Sequence, residues 1–197
     1  QYDGYRFTPE KGFTPMLNPF SVLNALAKSR FGDYWFASGT PTFLVEILKK
    51  TNFDLRELDG IEVSSASLSD DRANISNPVP MIYQSGYLTI KSFDQRFRTY
   101  TLGFPNEEVK YGFLNFVAPF YTPVASTDTT FYIGKFVHEL ETGETEAFLT
   151  RLSCFFADFP YELNEKTERH YQVVFYLVFK LMGQFTQAEV RTAIGRA

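Results

Sequence analysis

A chain of 197 residues with 44% apolar content has material for one large core or two small ones, and its 18% aromatic share gives no support to disorder. A formal charge of −4 and an isoelectric point near 5.3 exclude a protein that coats nucleic acid indiscriminately, because that affinity comes from neutralising phosphates. A local basic surface remains open. Cys154 is the single cysteine, so there is no intramolecular disulfide and no cysteine-rich metal site; within LSCFF it reads as a buried core thiol.

In chain order, residues 1–16 alternate aromatic and polar groups around Gly4, Pro9, Gly12 and Pro15, which predicts a turn-rich extended segment. Asn18-Pro19 supplies an N-cap followed by proline at the first helical position, and Phe20, Leu23, Asn24, Leu26 and Ala27 continue at helical spacing. After the aromatic loop GDYWFASG, Thr40-Pro41 repeats the device, with Phe43, Leu44, Ile47 and Leu48 as the inward stripe of a second helix. Trp35 in that loop reads as core, or as an anchor for a subunit or interdomain contact. Over 54–76 the pattern weakens, and SSASLSDDRANIS predicts a linker.

Asn77-Pro78 opens a short helix that ends at Gly86, placed for a left-handed cap. Residues 87–93 and 97–104 favour strands and are joined by Asp94-Gln95-Arg96, which predicts a β-hairpin. A helix follows from Pro105-Asn106, burying Val109, Phe113, Phe116 and Val117. The order helix, hairpin, helix is that of winged-helix modules. Lys91, Arg96 and Arg98 make the hairpin locally basic and are the candidate nucleic-acid contacts, although charge on an exposed hairpin also serves solvation and edge protection.

Beyond a spacer over 122–130, two helices are expected at 131–141 and 144–156, the second with Phe148, Leu149, Leu152 and Phe155 on one side. A long helix with an apolar centre then stops at Gly183, and residues 185–191 alternate as a short strand. The longest apolar run, 173–179, is well short of the ~20 residues that a membrane-crossing helix needs. With no signal-peptide pattern, a cytoplasmic protein is the default expectation. Both ends read as cuts in a longer chain.

No complete catalytic motif is legible. There is no GxxxxGK[ST] loop, no GxGxxG after a strand and no GxSxG elbow, and His138 and His170 each lack a second ligand at metal-binding spacing. The acidic clusters Asp70-Asp71, Glu107-Glu108 and 162–168 are each explained by loop solvation or by the dipole at a helix N-terminus.

Several segments resemble a bacterial and archaeal family of AAA-ATPase-like proteins whose C-terminal part is a PD-(D/E)XK-type nuclease domain. They are YDGYRF at 2–7, NPFSVLNAL at 18–26, YWFASGTPTFLVEILKK at 34–50, NPVPMIYQSGYLTIK at 77–91, YTLGFPNEEVKYGFLNF at 100–116 and YELNEKTERHYQVVFYLVFKLMG at 161–183. The resemblance implies that residues 1–125 are the helical and winged-helix-like end of an ATPase region, 126–160 a helical connector, and 161–197 the opening of a nuclease fold. The fold class expected is therefore α+β, mostly helical, with an incomplete α/β nuclease start. It implies further that the longer protein uses ATP and Mg²⁺, with the phosphate-binding lysine and the catalytic acids outside this stretch. Arg6 is then the candidate to approach a nucleotide. Glu168 and His170, and after them Glu189 and Arg191, are what would remain of a nuclease site. Expected partners are DNA or another nucleic acid, and a second copy paired through the C-terminal strand.

Overall fold

The computed structural model describes residues 2–8, 14–35, 42–51, 53–68, 77–122, 126–157, 168–183, 191–192 and 195–196. The protein is α+β and mostly helical, with eight α-helices, a three-stranded antiparallel sheet and a two-residue ladder among the described residues. Two compact units divide it, residues 1–113 and 114–197, and the division falls within one helix.

In the first unit, α1 (Pro19–Lys28) begins as its sequence dictates: Asn18 accepts from the amides of Phe20 at 3.0 Å and Ser21 at 3.2 Å. The helix ends on Ser29 in the left-handed region, φ 49°. The stripe of Phe20, Leu23, Leu26 and Ala27 faces solvent, however, and the only fully buried residue of α1 is Ser21. Helix α2 (Thr42–Lys50) buries Leu44, Val45 and Leu48, while Phe43 of its predicted stripe is exposed and Ile47 half-buried.

Where the pattern weakens after 54, Asp54 caps a 3-10 turn at Leu55–Glu57 and β1 runs Ile61–Ser64; the linker predicted at 64–76 is corrected only at its start, where α3 is a single turn, Ser65–Leu68. Residues 69–76, with Asp70-Asp71, lie outside the described residues. Periodicity missed β1 because a four-residue strand that buries Val63 alone has no alternation to detect.

Helix α4 (Val79–Gln84) is closed by Gly86 at φ 81°, as its sequence predicts. The hairpin follows as β2 (Thr89–Asp94) and β3 (Thr99–Gly103), and β1 pairs with β3 to give the order β1-β3-β2. The ladder between β2 and β3 slips between Ile90 and Ser92, so Lys91 is the extra residue of a bulge. The outer margin of β2 is partly covered at its start. Arg6 accepts from the amide of Ile90 at 3.4 Å, and the Thr89 hydroxyl both accepts from the Arg6 amide and donates to its carbonyl. Gly4, at φ 102°, lets this segment pass the Pro105 carbonyl, where a Cβ would collide.

Helix α5 (Glu107–Tyr121) starts on Asn106, whose side chain accepts from Val109 N at 3.0 Å. Its Val109 and Phe113 are inaccessible to solvent, and Phe116, expected inside, is half-buried. Leu44, Leu48, Leu55, Leu58, Ile82, Leu88 and Leu102 complete the first core, each stabilising by ~1.5–3 kcal/mol through burial. The ring of Tyr87 meets Trp35 at 4.9 Å and Phe113 at 5.3 Å, so Trp35 packs against this core.

In the second unit α6 runs Ser126–Glu141, five residues earlier than the spacer expected from its Ser/Thr-rich start. Helix α7 is Thr145–Ala157, reached through Gly143 at φ 77°, and α8 is Glu168–Leu181. Phe148, Leu152 and Phe155 of α7 are buried, but Leu149 is exposed. Cys154 is exposed as well, correcting the expectation of a core thiol: it follows the buried Leu152 by two positions, on the opposite side of the helix. The core is aromatic, with Phe136 edge-on to Phe148 at 5.6 Å and to Phe155 at 6.0 Å. Glu139 is buried beside it and accepts from Arg151 Nε at 2.6 Å. The backbone pairs Arg191–Thr192 (β4) with Gly195–Arg196 (β5); the rest of the predicted strand at 185–191 lies outside the described residues.

Candidate nucleic-acid interface

The turn of the hairpin is built by Asp94. Its Oδ1 accepts from the amides of Arg96 at 2.7 Å and Phe97 at 3.0 Å, which fixes the loop locally. Arg98 takes the left-handed conformation, φ 52°, and its carbonyl accepts from Ser65 N at 3.3 Å and Ser65 Oγ at 3.1 Å. The turn is thereby fastened to the end of β1. Further along, Phe93 and Tyr100 pack at 4.6 Å and Ser92 Oγ donates to Thr101 Oγ1 at 2.9 Å.

What this scaffold presents is Arg96, Phe97 and Arg98 in the open. The Arg96 guanidinium lies 5.1 Å from the centre of the Phe97 ring, itself 66% exposed. Neither arginine has an acidic partner among the described residues. Two unneutralised guanidinium groups beside an apolar ring can meet phosphate oxygens and a base or sugar face. Sequence reasoning found the arginines and passed over Phe97; a large aromatic between two cations inside a turn was the available signal.

Lys91 stands apart from the tip. The bulge turns it across Gly103, where a Cβ would meet Asp59 Oδ1 at 2.9 Å and Lys91 Cε at 3.1 Å. Burial holds its ammonium below the usual lysine range; Asp59 and Asp3 oppose that shift, and Arg6 and Lys110 deepen it. Lys110 is itself bound to Asp59 at 2.7 Å. The structure thus brings Arg6 together with Lys91 and leaves Arg96 and Arg98 as a separate pair. Arg6 is held by its backbone to Thr89 and its side chain is exposed.

The remnants of a nuclease site do not converge among the described residues. Glu168 is exposed and accepts from Gln172 Nε2 at 3.2 Å, and His170 is half-buried with its ring 6.1 Å from Tyr171. Glu189 lies outside the described residues, and Arg191 pairs with Arg196 in the short ladder. Among the described residues no three His, Cys, Asp or Glu side chains come together as metal ligands. The donors in view therefore do not by themselves fit a Mg²⁺–nucleotide site: Arg6, Lys91 and Lys110 offer charge, without a phosphate-cradling loop or a carboxylate set.

One acid does more than face a helix dipole. Glu108 stands in the first turn of α5, as one of its two expected readings has it, and is only 2% exposed. Its Oε1 accepts from Ser21 Oγ at 3.0 Å and Trp35 N at 3.0 Å, tying α1 and the aromatic loop to the first turn of α5. Nothing in a lone Glu-Glu pair announces such a role, because both donors come from more than 70 residues away.

Fold and hairpin together define an α+β protein with a basic, aromatic hairpin tip on a three-stranded sheet. The chain is similar to the uncharacterized protein in the vnfD 5′ region of Azotobacter chroococcum mcd 1. The two are 30% identical over 203 residues, which covers 99% of this chain and 38% of that relative. No family model and no solved structure matches. Among the described residues no helix is long and apolar enough to cross a membrane.

Proposed function

We propose that this chain is the scaffold and contact region of a longer nucleic-acid-processing protein, and that its hairpin tip engages the phosphate backbone. The observation that carries this reading is the exposed triplet Arg96-Phe97-Arg98, whose guanidinium groups lack acidic partners among the described residues. Helix α4, the hairpin and α5 follow one another in winged-helix order, and the Ser65 anchor makes the tip a defined shape. The resemblance to AAA-ATPase-like proteins with a nuclease-like end adds ATP and Mg²⁺ as requirements of the longer protein, and a parent that couples ATP-dependent movement to DNA handling. Lys91, drawn toward Asp59, contributes less than the two arginines.

Binding of duplex DNA across a salt series tests the tip. Arg96→Glu with Arg98→Glu is expected to weaken binding by about a hundredfold at low salt and to reduce the salt slope by about 2. Equal affinity and slope in the variant would remove the nucleic-acid reading. A second reading, a protein-binding module without enzymatic role, is favoured by the exposure of Phe97; there Phe97→Ala abolishes partner binding with little salt dependence. For the longer protein, Mg²⁺-dependent DNA cleavage that is lost when a downstream catalytic acid is changed supports the enzymatic reading, and no cleavage with any metal ends it.

A further inference from the structure

Helix α1 is built the wrong way round for a surface helix. It turns Ser21 inward to meet Glu108, and it displays Phe20 at 47%, Leu23 at 66% and Leu26 at 71% exposure. Met16 and Leu17 before it, and Phe31 after it, are exposed by more than half. With Phe7, half of the 14 large apolar side chains exposed among the described residues fall between positions 7 and 31. Scattered exposed leucines need no explanation, but a run of them on one helix and its flanks marks a surface that something covers.

The covering group is constrained by length. The Azotobacter relative aligns with 99% of this chain, so the α1 segment has a counterpart there, yet the match accounts for only 38% of that protein. Most of the relative is polypeptide outside the matched stretch, and parts of one chain commonly pack on one another through interfaces of ~600–1,500 Å². We infer that the Phe20, Leu23 and Leu26 face of α1, with Met16, Leu17 and Phe31, is the seat of an apolar surface from the adjoining polypeptide of a longer protein. The occupant is a folded segment of the same polypeptide that presents aliphatic and aromatic side chains. The inference is independent of the nucleic-acid reading, since the tip at Arg96 and Arg98 is a different surface.

Thiol accessibility in the intact gene product tests it. In a Cys154→Ser background, Leu23→Cys and Leu26→Cys are made singly, which spares the core because both positions are exposed here. Maleimide labelling is compared in the native protein, in denaturant, and in the 197-residue chain alone. Labelling in the native longer protein is expected to be slower than in denaturant by about tenfold or more at concentrations where it sediments as a monomer, and unprotected in the short chain. Free labelling in the longer protein overturns the inference. So does protection that disappears on dilution to monomer, which would make the occupant a second copy. Equal protection in the monomeric short chain, or a gene product limited to these residues, overturns it as well.

Discussion

Residues 1–113 add polar bonds between distant positions to their apolar core, whereas the described part of 114–197 is packed chiefly ring against ring. In the first unit Ser21 and Trp35 converge on Glu108, Asn106 donates to the Asp3 carbonyl at 2.8 Å, Thr89 grips Arg6, and the Tyr2 hydroxyl donates to the Gly32 carbonyl at 3.0 Å. In the second, Phe136, Phe148, Phe155, Phe156, Phe175 and Phe179 form a connected series of aromatic contacts. Directional bonds specify one arrangement and fail when one partner is removed; apolar packing responds to lost volume and tolerates changes that conserve it.

The largest effect is expected from emptying the aromatic core. Phe136→Ala should cost about 3–5 kcal/mol in denaturant unfolding, while Phe136→Leu should cost less than half of that. Similar losses for both would break the contrast, because volume would no longer be the governing variable. In the first unit Glu108→Ala leaves two donors facing a buried space and should cost about 2–3 kcal/mol, with Glu108→Gln recovering part by keeping an acceptor. A neutral Glu108→Ala would mean that shape alone suffices there too.

A smaller effect lies at high pH. Burial pushes the Tyr87 phenol up to about 12 from its ordinary 10.0. The unfolded chain ionises first, so this residue has no influence below pH 10 and withdraws stability as pH rises from 10 to about 12. Tyr87→Phe should flatten unfolding free energy against pH in that window; an unchanged slope would place the phenol in contact with solvent. Smallest is Arg98→Gly. It relieves a positive φ and should stabilise by up to about 1 kcal/mol; on the proposed reading of the hairpin it also weakens DNA binding, so that a thermal melt and a binding titration move in opposite directions.

Much of the local structure was legible because its causes are local. Asn18-Pro19 is a cap wherever it occurs, Gly86 supplies a left-handed residue at no steric cost, and Asp94 turns a chain by bonding its own neighbours. The exposure of the arginines at 96 and 98, on a short polar turn, was legible for the same reason. Strand β1 was not, because IEVS becomes a strand only through β3, nearly 40 positions later. The orientation of α1 escaped for a related cause: periodicity shows that a helix has an apolar stripe and says nothing of whether that stripe meets this core or another surface. Cys154 was misjudged because the apolar composition around it was made to stand for its burial, and the distant donors that bury Glu108 leave no trace near it in the sequence.

The short liaison between Arg6 and the first two residues of β2 has a consequence for life at high concentration. An open strand margin is a template on which other chains can anneal. Here the chain's own beginning occupies that margin at Thr89 and Ile90, and the next residue along, Lys91, kinks the strand and carries a cation. Intermolecular zippering along this side therefore meets an obstacle at its first step.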